Sequence, residues 1–380
     1  MCKRLTSDIK HFTIKQILID HWSNFVKSNP ELNIRPVVFK EVNKVIHCGD
    51  FSQGHALYHC SHCGSILHVP FRCKSRFCNT CGMQYVNNRA FNLSKKLISC
   101  KHRHLVFTIP KELRSIFRED RSLLNILFHA VSQTILSWFA SQNKTECFTP
   151  GFVSTLHTFG RDLKWNPHIH TLITECASGN ITVWKHFKHF PYTMLRRRFQ
   201  ATLLDLLEKA IGPSFYQLKS FLYSSCKNGF YVRAKPNPIA DTNKANEYVF
   251  RYTGIPAMAQ SRILNYDGQT VTFWYKRHQD DKKVIESISA FDFIKRLIIH
   301  IPETQFKTVR YYGLYAKKHK FSHLLSKMLP QTKRIFHERY SHWRERILLS
   351  FGYDPLKCSC GHTMELVGIF YPPRLSYNST

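Results

Sequence analysis

The stretch Trp165-Asn166-Pro167-His168-Ile169-His170-Thr171-Leu172-Ile173-Thr174 decides how this chain is read. Proline has no N–H to give to a sheet ladder, so a central strand is expected to begin only after Pro167. From there the residues alternate with the period of two that a strand imposes. His168, His170 and Leu172 then share one face, and Ile169, Thr171 and Ile173 share the other. Two imidazoles one strand step apart can converge on a single divalent cation, and neutral imidazole is the commonest protein metal ligand. Two polar residues on the wet face of a half-buried sheet would give the same pattern. With 22 histidines in the chain, His-x-His alone does not choose between the two readings.

The neighbouring segments supply candidate partners. Residues 152–159 read as a second strand, joined by a short connection to the histidine strand. A hairpin pairing would bring His157 roughly opposite His170, on the same face if the register is even. His104, in a strand over 104–110 that Pro110 stops, competes for a third ligand position, as does a side chain from a later helix. That helix is Asn246-Glu247-Tyr248-Val249-Phe250-Arg251-Tyr252, stopped by Gly254 and Pro256. It would stack Tyr248 above Tyr252, about 6 Å apart along the axis. A tyrosine pair at that spacing is also a common packing feature. Apolar residues recur at helical spacing over 9–28, 120–141, 195–210 and 290–301, and a basic helix is expected over 87–97. Residues 229–236 read as a strand, and Asp267-Gly268 between two strand-like runs marks a hairpin.

Lys and Arg number 55 against 25 Asp and Glu, a net charge of +30, which calls for a polyanionic partner. Membrane is the weaker choice: no uninterrupted apolar run approaches the length of a bilayer span, and Met1-Cys2-Lys3-Arg4 leads into no signal-type segment. Nucleic acid is the better one, and abundant Tyr, Phe and Trp offer stacking surfaces for unpaired bases. At 380 residues the chain has room for two or three domains, each with its own core.

Thirteen cysteines without a secretory signal point to a reducing compartment, where thiols bind metal or do chemistry. Cys60-x2-Cys63 and Cys78-x2-Cys81 are two chelating knuckles about fifteen residues apart, the spacing of a structural zinc site. Four thiolates leave no open coordination position, so the role is structural, worth on the order of 10 kcal/mol to so small a module. Cys48 and Cys73 with one histidine (His55, His59 or His62) supply ligands for a second site. Arg72, Lys74 and Arg76 beside the knuckles, with Arg251 between the tyrosines, are expected to contact DNA; the alternative for the module is a mere scaffold. Cys2, Cys100, Cys147, Cys176 and Cys226 read as small packing residues.

The order of these features resembles the HUH (His-hydrophobic-His) endonucleases of rolling-circle replication, most closely the two-tyrosine transposases of the insertion sequence 91 family. The residues that carry the resemblance are 48–81, 104–113, Leu156-His157-Thr158-Phe159-Gly160, Pro167-His168-Ile169-His170, 247–252, 261–276, Tyr311-Tyr312-Gly313-Leu314 and Asp354-Pro355-Leu356. The resemblance implies an α+β fold: an HUH-like antiparallel sheet with flanking helices, preceded by a small zinc-binding domain and followed by a basic helical tail. The corresponding division is 1–100, 101–315 and 316–380. It further implies that His168 and His170 bind Mg²⁺ or Mn²⁺, for which the hairpin reading offers His157 as third ligand, and that Tyr248 and Tyr252 are the nucleophiles. Single-stranded element ends would be nicked and rejoined through a 5′-phosphotyrosine, in the bacterial cytoplasm. No P-loop of the form G-x4-GK[ST] occurs, so unwinding would fall to a host helicase. The chain departs from the family pattern in two places: Cys358-Ser359-Cys360 stands where relatives carry Cys-x2-Cys, and Phe77 stands where a histidine is expected. Two rival readings make different predictions. A hydrolytic histidine-metal nuclease would not need the tyrosines, and a non-catalytic zinc DNA-binding protein would never cut.

Overall fold

The computed structural model describes residues 12–94, 97–234, 238–239, 256–277, 279–316 and 342–372. Helices are α1 (Ile14–Ser28), α2 (Pro36–Ile46), α3 (Asn79–Ser94), α4 (Arg114–Glu119), α5 (Leu124–Ala140), α6 (Tyr192–Ile211), α7 (Tyr216–Ser225), α8 (Ala290–Ile298) and α9 (Trp343–Phe351). Strands are β1 (His55–His59), β2 (Ile66–Pro70), β3 (His102–Thr108), β4 (Thr149–Phe159), β5 (Trp165–Ser178), β6 (Lys185–His186), β7 (Tyr231–Ala234), β8 (Ile263–Tyr266), β9 (Thr270–Lys276), β10 (Lys283–Ser289), β11 (Val309–Gly313) and β12 (Glu365–Phe370). Tyr248, Arg251 and Tyr252 lie outside the described residues, as does most of the basic segment 317–346.

Two compact units result, and they interleave along the chain instead of following one another. The first comprises Met1–Asn88, Gly254–Ile301 and His337–Thr380; the second comprises Arg89–Thr253 and Pro302–Phe336. The linear division expected from the sequence differs because two late segments return to the first unit. The β8–β9 turn accepts a hydrogen bond at Gly268 O from His21 Nε2 of α1 at 2.8 Å, and Tyr266 donates to Asp20 at 2.8 Å. β12 adds to the edge of β1, so the C-terminal region contributes a strand beside the helical segment expected there.

The second unit is built on an antiparallel sheet of order β11-β4-β5-β3-β7, with β6 paired to β5. β5 is buried along nearly its whole length, as a strand covered on both faces must be. One face presents Ile169, Ile173, Leu105, Phe107 and Phe152 to helices; Phe107 meets Phe199 of α6 edge-on at 5.2 Å. α5 is apolar around most of its circumference, with Leu127, Phe128, Val131, Ile135, Trp138 and Phe139 all buried. Length and composition over Arg121–Ala140 would suit a membrane span, yet 61% of that stretch is buried inside the fold, which is the mark of a core helix. On the opposite face Val153, Leu172 and Val309 pack with Leu93, Leu97, Ile98, Leu314 and Tyr315. That core fills one end of the face and leaves the other to histidine.

The first unit contains two smaller sheets, β10-β9-β8 and β12-β1-β2. α1 opens on Thr13, whose hydroxyl accepts from Gln16 N, and α8 opens on Ser289, whose hydroxyl accepts from Asp292 N. Phe25 of α1 meets Phe291 of α8 at 5.6 Å, edge to face.

Candidate metal centre on the central sheet

The register of β4, β5 and β3 places the histidines. His168 lies between His157 of β4 and Thr108 of β3; His170 lies between Thr155 and Val106. His157 is therefore opposite His168, not His170 as the hairpin estimate had it. The difference is one full pleat of two residues, so the face is unchanged.

Pro167 also departs from expectation, since it lies inside β5 and not before it. The pairing explains this. His157 pairs with His168 and Phe159 with Trp165, so Asn166 and Pro167 oppose Thr158 alone. That is a β-bulge, a place where a missing N–H costs no ladder bond. The pairing of β5 with β3 ends at His168, so no partner on that side needs the proline nitrogen either. The bulge also brings the Asn166 carbonyl to 2.7 Å from His168 Nδ1. A carbonyl can only accept, so His168 carries its proton on Nδ1 and presents the Nε2 lone pair.

The Nε2 atoms of His168 and His170 are 3.0 Å apart. One nitrogen of each of His157, His168 and His170 lies within 4.8 Å of the others. Two nitrogens each about 2.1 Å from a metal are about 3.0 Å apart at a right angle and about 3.4 Å apart at the tetrahedral angle. The separation is within reach of two imidazoles that share one divalent cation.

His104, the rival third ligand, takes a different position. Its Nε2 is 2.9 Å from His170 Nδ1, on the side of the ring away from His168. Burial, followed by the charges of His157, His168 and His104, holds the His170 imidazole well below its usual pKa. At neutral pH it is an uncharged donor, the form that binds metal.

The cysteines pair otherwise than their spacing suggests. Cys78 and Cys81 join Cys48 and Cys73, with sulfur separations of 3.6 Å (Cys48–Cys81), 3.6 Å (Cys73–Cys81) and 3.7 Å (Cys48–Cys78). A tetrahedral zinc at about 2.3 Å from each sulfur requires about 3.8 Å, so the cluster fits a structural zinc. Hydrogen bonds from Cys73 and then Cys81 hold the Cys78 thiol well below its usual pKa. Cys60 and Cys63 lie against Cys358 and Cys360 instead. The reason is the β1–β2 hairpin. The Cys60–Cys63 knuckle forms its turn, whereas Cys48 precedes β1 and Cys73 follows β2 at the open end. Five residues of strand separate the two ends by about 17 Å. His55 is no ligand in either thiol cluster: its ring stacks on Phe370 at 5.1 Å. Arg72 and Lys74 are exposed, and Arg76 lies over the Tyr85 ring at 5.6 Å.

Sequence reasoning missed the partnership of Cys60 with the C-terminal cysteines. The available signal was an echo: Cys-x2-Cys-Gly at residues 60–64 and Cys-x-Cys-Gly at 358–361.

Comparison with known proteins gives two family models in tandem. A transposase zinc-binding domain matches residues 17–109, and a model described as "Putative transposase" matches residues 151–322. The chain is similar to the transposase for insertion sequence element IS801 of Pseudomonas savastanoi pv. phaseolicola, 26% identical over 315 residues that cover 78% of this chain and 74% of that one. It is also similar to "Putative transposase y4qJ" of Sinorhizobium fredii (strain NBRC 101917 / NGR234), 26% identical over 356 residues, covering 83% and 86%. No solved structure matches.

Proposed function

The chain belongs to the insertion sequence 91 family of transposases, and on that footing we propose that it nicks and rejoins single-stranded DNA at element ends through a 5′-phosphotyrosine intermediate, in rolling-circle fashion. The observation that carries this reading is the convergence of His157, His168 and His170 on one face of the central sheet, with two Nε2 atoms 3.0 Å apart. In the proposal the second unit is an HUH-type catalytic domain. Those histidines hold Mn²⁺ or Mg²⁺, which when bound polarises the scissile phosphate as a Lewis acid.

Tyr248 and Tyr252 are the proposed nucleophiles, matched by their i,i+4 spacing. An unperturbed phenol has a pKa near 10, so the attacking oxygen must lose its proton as it approaches phosphorus. The new bond joins the tyrosine oxygen to phosphorus. The bond to the 3′ oxygen breaks, and that oxygen takes up a proton to leave as a free 3′-hydroxyl. Because one phosphate ester replaces another, an acceptor 3′-hydroxyl can reverse the step without ATP. The second tyrosine of the pair can open a second strand while the first holds its own. The +30 net charge and the exposed Arg72 and Lys74 favour grip on the phosphate backbone, with Arg76 and Arg251 as further contacts. Strand separation is assigned to a host helicase.

The test is nicking of an end-labelled single strand carrying an element end. Cleavage should require a divalent cation, and Tyr248→Phe/Tyr252→Phe should abolish it. Cleavage that survives the double substitution would assign the site to hydrolysis by water, and no cleavage under any metal would leave a DNA-binding protein.

A further inference from the structure

We propose that Cys60, Cys63, Cys358 and Cys360 form a second tetrathiolate zinc site, a clasp that locks the C-terminal segment onto the N-terminal zinc-binding sheet. One ligand atom from each lies within 4.8 Å of the others, with sulfur separations of 3.5 Å for Cys60–Cys360 and 3.5 Å for Cys63–Cys358. Those distances approach the edge of a zinc–thiolate tetrahedron, about 3.8 Å. The chain brings together pairs almost 300 residues apart, which local spacing does not do by accident.

Both pairs have the backbone of a chelating knuckle. In the first, Gly64 N donates to Cys60 O at 2.9 Å and Cys60 N to Ser65 O at 2.9 Å. In the second, Gly361 N donates to Cys358 O at 2.9 Å and Cys358 N to His362 O at 2.8 Å. Gly64 and Gly361 both take positive φ, 73° and 91°, the conformation that turns the chain back after the second cysteine. The shorter Cys-x-Cys spacing is accommodated by a turn closed one residue sooner, since Gly361 N reaches back three residues where Gly64 N reaches back four. Cys60 and Cys358 are buried with Met364, so the cluster has an apolar inner wall.

The surroundings are built to hold the second knuckle in place. β12 pairs antiparallel with β1, and a Cβ at Gly54 would come within 2.6 Å of the Phe370 carbonyl, so the C-terminal strand is closely seated. On the other side Arg344 grips Asp354 through two hydrogen bonds of 2.7 and 2.6 Å and also donates to Thr363. His62 and His362 stack at 3.8 Å and with Cys360 form a competing, fully exposed ligand set. Three groups in open solvent are a poorer zinc site than four thiolates with half of them buried, and the clasp takes the tetrathiolate set. The clasp stands independently of the DNA chemistry, and its failure would leave that reading intact.

The test counts zinc in the full chain purified under reducing conditions. Cys60→Ser/Cys63→Ser and Cys358→Ser/Cys360→Ser should each hold one zinc fewer than the unsubstituted chain, and all four substitutions together still only one fewer. His62→Ala/His362→Ala should lose none. Unchanged zinc in the Cys358→Ser/Cys360→Ser chain, a loss of two in the quadruple variant, or loss in the histidine variant would overturn the clasp. A second measurement needs no variant. In the unsubstituted chain under graded chelation, cysteine alkylation read by mass spectrometry should find Cys60, Cys63, Cys358 and Cys360 becoming reactive together, with cleavage by protease within 352–372 appearing at the same step. Independent unmasking of the two pairs would contradict a shared ion.

Discussion

His104 Nε2 and His170 Nδ1 are hydrogen-bonded at 2.9 Å across the β3–β5 pair, on the edge of the His170 ring opposite the nitrogen that faces His168. When His170 offers Nε2 to a cation, its Nδ1–H donates to His104. His168 is fixed in the equivalent tautomer by the Asn166 carbonyl. His168 and His170 therefore each have a partner that orients the ring, the usual arrangement behind metal-binding imidazoles.

His104→Ala should weaken Mn²⁺ binding by about 10- to 100-fold, the typical cost of losing such a partner. Titration with Mn²⁺, following the signal of the free ion by electron paramagnetic resonance, gives the affinity directly. Unchanged affinity would show that His104 only fills space beside the site.

His168→Ala/His170→Ala should remove Mn²⁺ binding and DNA cleavage together while leaving affinity for a single strand within a few-fold of the original. Fluorescence anisotropy with a labelled oligonucleotide separates the two effects. A collapse of DNA binding in step with metal loss would mean the histidines hold the fold and not the cation.

Cys73→Ser should cost one zinc and destabilise the first unit, because a structural zinc contributes on the order of 10 kcal/mol. Differential scanning calorimetry should show one transition lowered and a second, belonging to the sheet of the second unit, retained. Equal loss of both transitions would contradict the separate folding of the two units.

Glu175→Ala should destabilise the second unit by about 3–5 kcal/mol, the cost of leaving one member of a buried ion pair alone. Arg103 Nε donates to Glu175 at 2.8 Å, with side chains only 11% and 7% exposed, and its guanidinium lies over Phe190 at 4.9 Å. Chemical denaturation of the two proteins compares their stabilities. A change below about 1 kcal/mol, the range of an exposed pair, would refute the burial argument.

Much of the site was legible because strand periodicity is local. The alternation after Pro167 puts His168 and His170 on one face whatever else the chain does, and an even register suffices to add His157. The offset of that register was not legible, because it depends on a bulge at Asn166 and Pro167 that no alternation pattern announces. The cysteine partners were hidden for a different reason. Two knuckles at zinc-like spacing invite pairing, but a five-residue hairpin holds them at opposite ends, and the true partners come from before β1 and from the far end of the chain. Likewise nothing local in 365–370 marks it as the third strand of an N-terminal sheet.

The central claim is that a cation held by His157, His168 and His170 promotes attack by a tyrosine oxygen on DNA. Its most direct measurement is mass spectrometry of the covalent product formed with a single-stranded element end and Mn²⁺. The account predicts a DNA-linked peptide carrying the adduct at Tyr248 or Tyr252, absent without divalent metal and absent in the His168→Ala/His170→Ala chain. A cleaved strand with no protein attached, or an adduct that forms equally well without those two histidines, would contradict it.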